Sequence, residues 1–128
     1  MKYYIDKTLD VKFDKAVELV KEALKNEGFG VLSEISVNKT LKEKLDVDFQ
    51  DYVILGACNP PLAHKALQAE NKIGTMLPCN VIVQSTEDGK SEVAAVDPYA
   101  SMQAVENEEL KDLAKTVKTK LDNVIKAL

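Results

Sequence analysis

Tyr52-Val53-Ile54-Leu55-Gly56-Ala57-Cys58-Asn59-Pro60-Pro61 passes from an apolar run directly into a helix start. A run without polar interruption reads as a central strand covered on both faces. Asn59 is then a helix cap, because its side chain can accept from the free N–H groups of the first turn. Pro60 and Pro61 fit that turn, where a missing N–H costs least. Ala63, Ala66, Leu67 and Glu70 share one side of the helix that follows, and Gly74 and Pro78 bound the loop after it.

Downstream, Cys79 to Ser85 reads as a strand with Cys79, Val81 and Val83 facing one way. Glu87-Asp88-Gly89-Lys90 is a hairpin turn, and Glu92 to Val96 returns antiparallel until Asp97-Pro98 stops it. Asn107 caps a long last helix, with Glu108 and Glu109 where the helix dipole favours acids. Leu110, Leu113, Ala114, Val117, Leu121, Val124, Ile125 and Leu128 form its apolar stripe. Upstream, residues 3–9 make a short strand. Asp10 is the expected cap of a helix that runs to about Asn26, with Phe13, Ala16, Val17, Val20 and Leu24 on its apolar face. Gly28 supplies the left-handed residue that ends it. Phe29, Val31, Ile35 and Val37 alternate as one face of a strand, and Thr40-Leu41-Lys42-Glu43 matches a capping box for a short helix over 41–45.

The element order is therefore β-α-β-(α)-β-α-β-β-α. It predicts an α+β, two-layer domain: a mixed or antiparallel sheet of about five strands with helices mainly on one face. The core of that order is shared with ferredoxin-like folds, as a topological analogy. With 128 residues, 45% of them hydrophobic and 30% charged, the chain reads as one domain over residues 1–128.

The net charge is −4 and every cation is lysine, without a single arginine. No basic stripe appears, so nucleic-acid binding is not expected. The bidentate clamps that arginine offers to phosphate or carboxylate are absent too. Asp6 interrupts the start of the chain where a leader needs apolar residues, and no run approaches membrane-spanning length. Two cysteines are too few for a secreted disulfide scaffold. Cytoplasmic localisation and no membrane partner are the expectation.

The stretch from Tyr52 through Pro61 to Leu67, the stretch Ile73-Gly74-Thr75-Met76-Leu77-Pro78-Cys79-Asn80-Val81-Ile82-Val83, and Val96-Asp97-Pro98 together resemble the bacterial and archaeal family called domain of unknown function 302. The resemblance covers essentially the whole chain. It implies a compact two-layer α+β domain that pairs into dimers, and it brings no agreed activity and no cofactor.

Cys58, His64 and Cys79 are the soft or readily titrating side chains of the sequence. If the strands ending at Cys58 and starting at Cys79 are neighbours, both sulfurs reach one region. Several readings of that region stay open. Cys58 before a helix start could be a reactive thiolate, with Cys79 as resolving partner and His64 as proton acceptor. Pro60 and Pro61 weaken that reading by removing two N–H donors. A metal site of Cys58, His64 and Cys79, with Asp97 as a conceivable fourth ligand, has soft donors but matches no standard spacing, and His64 lies on the flank of its helix. The plainest reading is two buried cysteines and a surface histidine. The last is a small-ligand pocket lined by Cys58, Asn59, Pro60, His64 and Cys79, in a homodimeric binding module. Whether the protein is an enzyme stays open.

Other patterns carry less. Gly28-Phe29-Gly30 lacks dinucleotide-site spacing. Asp46, Asp48 and Asp51 lack the glycine and glutamate of a calcium loop. No serine sits in a nucleophile elbow.

Overall fold

The computed structural model of the protein describes residues 2–128. Five strands form one sheet: β1 (Tyr4–Leu9), β2 (Gly30–Ser36), β3 (Tyr52–Cys58), β4 (Cys79–Ser85) and β5 (Ser91–Val96). Their spatial order is β1-β5-β4-β3-β2, and every neighbouring pair is antiparallel. The helices are α1 (Phe13–Asn26), α2 (Val37–Leu45), α3 (Pro60–Ala69), α4 (Pro98–Ser101) and α5 (Glu108–Lys126), with a 3-10 turn over Asn71–Met76. The α+β class and the one-sided helical layer hold. β3 is an interior strand, but the middle of the five is β4, because β5 hairpins back along the other edge of β4 and β1 adds beyond β5.

One face of the sheet is sealed. Val53, Leu55, Ala57, Val81, Val83, Val93 and Ala95 are buried and pack with Ala16, Val20, Leu24, Leu121 and Val124 of α1 and α5. A second, smaller cluster of Ala66, Ile73, Met102, Leu110 and Ala114 lies beside it. The opposite face is not sealed. Ile35 pairs with Ile54 and Ile54 with Ile82, making an apolar row across three strands in which Ile35 stays 49% exposed. The expected cover on both faces of β3 is thus halved.

Three local expectations shift. Lys12, not Asp10, occupies the cap position of α1, and no side chain caps it. At the other end Gly28 adopts φ +83°, which lets the Phe29 N–H return to the Leu24 carbonyl at 2.9 Å. Helix α2 begins at Val37, so Thr40 is interior, and it ends at Asp46 in the left-handed region. Asn38 anchors it, accepting from the Tyr52 N–H at 3.1 Å. Strand β2 carries a bulge between Val31 and Ser33. An extra residue flips the face of everything after it. Ile35 therefore goes to the open side, while Glu34 faces α1 and meets Lys21 at 2.9 Å.

Asn59 and Asn107 cap as expected: each accepts through its side chain, from the N–H of Leu62 and of Leu110 respectively. Asp97 does the same for the short α4, through the Ala100 N–H. Among the described residues, no helix is long and apolar enough to cross a membrane.

Candidate functional site

The two apolar clusters do not meet cleanly. Between them, bounded by α3, α5 and the end of the sheet, lies a cavity of about 310 Å³. Its floor is the β3–β4 junction, with Ala57, Cys58, Pro78 and Cys79. One wall is α3, with Leu62, Ala63, Ala66 and Leu67. The other is α5, with Leu110, Leu113, Ala114 and Val117. Phe29, Leu32, Asn59, Leu77, Pro98 and Met102 complete the lining.

Side-chain size explains the space. Ala57, Ala63, Ala66 and Ala114 approach from three elements, and none extends beyond Cβ. A close-packed interior would need larger residues at some of these positions. Leu32 is the unpaired residue of the β2 bulge, and at 71% exposure it stands where the cavity opens to solvent, as does the exposed Leu67. The bulge thus turns a strand side chain onto the rim of the site. Gly56 is what allows the adjoining strands this approach. A Cβ there would collide with Ser33 Oγ and stand 2.9 Å from Pro78.

Strand pairing assembles the cysteines. Ala57 pairs with Cys79, and Cys58 lies one residue further along β3, opposite Gly30 of β2. Both thiols are free and both line the cavity. Cys79 is buried, and that burial pushes its thiol up to about 11, with the Cys58 thiol beside it adding to the rise. It is a neutral S–H at physiological pH. Asn59 also lines the cavity, but its amide is engaged at both ends. Oδ1 accepts from Leu62 N–H, and Nδ2 donates to the Glu27 carbonyl at 3.4 Å, joining α3 to the end of α1.

The other two candidates are elsewhere. Pro60 and His64 are exposed and not on the cavity wall. On α3, Leu62, Ala63 and Ala66 point inward, and at 100° per residue His64 is carried round to the solvent side. Among the described residues, no group of three His, Cys, Asp or Glu side chains is placed to hold a metal ion. Asp97 is engaged as the cap of α4. The thiol-chemistry alternative keeps its two sulfurs and lacks the imidazole. The acids after α2 have a local partner, since Lys42 pairs with Asp46 at 3.0 Å and Asp48 at 3.3 Å.

Residues 5–128 match the family described as "Domain of unknown function DUF302". The chain belongs to the DUF302 family. A solved structure of an uncharacterized conserved DUF302 protein from Bacillus stearothermophilus superposes with a TM-score of 0.92 at 28% sequence identity. The match covers 99% of this chain and 98% of that one. No curated protein matches. The DUF302 architecture thus extends over nearly the whole chain, cavity-forming elements included.

Of the residues singled out in the sequence, Cys58, Asn59 and Cys79 line the cavity, while its α3 and α5 walls were not singled out. The available signal was the pairing of alanines on one face of α3 with an alanine in the α5 stripe. Read singly, each is an ordinary core residue.

Proposed function

We propose that this DUF302 protein is a cytoplasmic, homodimeric binding module whose ligand site is the cavity floored by Cys58 and Cys79. The observation that carries this is a 310 Å³ space between two otherwise well-filled clusters, opening beside Leu32 and Leu67. Ligand sites are concavities of this scale with mostly apolar walls. The free thiols fit a reducing compartment. Support for pairing comes from the Ile35–Ile54–Ile82 row on the unsealed sheet face, which a second copy could cover.

A fragment set spanning anions, cations, neutral polar and apolar molecules tests the site by amide chemical shifts. Wild-type protein is expected to show shifts at Ala57, Ala66 and Ala114 with some members. Ala63→Phe, which puts a ring into the space from a half-buried position, is expected to lose them. If no member of any class moves those amides, the cavity is not a ligand site. Light scattering tests the pairing. A dimer that Ile82→Lys converts to monomer supports it, and a wild-type monomer at high concentration rules it out.

A further inference from the structure

We infer that the cavity's ligand is an uncharged, hydrocarbon-rich molecule of about ten non-hydrogen atoms, an inference that rests on the cavity being the binding site. Size comes first. An apolar cavity of about 150 Å³ accommodates benzene. A space of 310 Å³ therefore suits a fused bicycle or a short branched chain. Its shape is elongated, since Leu110 and Val117 of the α5 wall stand about 10 Å apart along the helix axis.

Charge is decided by the lining. No lysine, aspartate, glutamate or histidine contributes to it. The one amide, Asn59, accepts from α3 through its oxygen and gives one N–H to the Glu27 carbonyl, leaving a single neutral N–H and no charge. Among the described residues, no buried side-chain nitrogen or oxygen is left without a hydrogen-bond partner, so the polar groups left for a ligand are neutral and weak, the two thiols chief among them. A carboxylate or ammonium carried from the mouth down to the floor would lose its hydration with no charged partner in return, and that is costly. The protein's own thiol reports the same environment, for Cys79 on the cavity floor is held in its neutral form by burial. These features disfavour nucleotides, sugar phosphates, amino acids and carboxylic acids as occupants. They favour a neutral aromatic or terpenoid-like molecule.

Three ligands of one shape separate the cases: 2-naphthalenemethanol, 2-naphthoate and 2-naphthylmethylammonium, each titrated into wild-type protein at neutral pH. The neutral alcohol is expected to shift Ala57, Ala66 and Ala114 amides and to bind at least tenfold more tightly than either ion. An ion binding as tightly as the alcohol, or more so, overturns the inference. So does failure of all three while polar members of the broader fragment set move the same amides, and in that case the binding-site reading survives. Silence from every fragment removes that reading and this inference with it. The comparison uses wild-type protein throughout, so it does not depend on a variant folding.

Discussion

The two ends of α5 rest on different kinds of interior. At its C-terminal end Leu121, Val124 and Ile125 press into the main cluster, among valines and leucines of the sheet and α1. At its N-terminal end Leu110 and Ala114 meet Ala66, Ile73 and Met102, supplied by α3, the 3-10 turn and the segment after α4. The apolar stripe of α5 is continuous across both. What differs is the partner: branched strand residues fill one end, and facing alanines leave a cavity at the other. A stripe on one helix therefore fixes where a core begins, and residue size on the opposing elements fixes whether it closes.

The sharpest way to break this comparison is to truncate a leucine at each end. Leu121→Ala removes a fully buried side chain from the filled end and should cost about 3–4 kcal/mol in urea unfolding. Leu110→Ala should cost about 1 kcal/mol less, because Leu110, though buried, packs in the smaller cluster on the cavity wall and has fewer contacts to lose. Equal losses would mean that the two ends are packed alike. Enlargement should show the converse. Ala16→Leu, at a fully buried position of α1, should destabilise by about 2 kcal/mol through overpacking. Ala114→Leu points its added carbons into the cavity and should stay within about 0.5 kcal/mol of wild type. A large loss at Ala114 would show the space to be closed in solution.

Much of the fold was legible in the sequence. The α5 stripe, the Cys79-Val81-Val83 face, the 87–90 hairpin and the Asn59 and Asn107 caps each follow from local rules, and each is where those rules put it. The site was half legible. Cys58 and Cys79 come together because β3 and β4 pair, and that pairing could be stated only as a condition. The bulge that places Leu32 on the rim was not legible, since one unpaired residue leaves no compositional trace. Nor was the 3-10 segment, which no side chain caps, while α4 went unread although Asp97-Pro98 repeats the cap-and-proline pattern of Asn59-Pro60. His64 was drawn into the site by chemical type alone, although helical geometry already put it on the flank.

A titration tests whether the boundary between the two interiors is dry. Cys79 sits on that boundary, belonging to the main cluster and flooring the cavity. Its thiol lies near 9 in the unfolded chain and rises to about 11 in the fold, chiefly through burial. Between those values the folded state holds a proton that the unfolded state has released, so stability must fall as pH rises. The contribution is fully present below about pH 9 and is lost on passing through about pH 11. Its full size is about 3 kcal/mol, of which about 2 kcal/mol is lost by pH 11. Lysines titrate over the same window, so the measurement is the difference between wild type and Cys79→Ala, followed by urea unfolding from pH 8 to pH 11. That difference should shift against wild type by about 2 kcal/mol. A flat difference would mean that water reaches the sulfur through the cavity. The neutral lining on which the ligand inference depends would then be hydrated, and the two ends of α5 would differ in polarity as well as in filling.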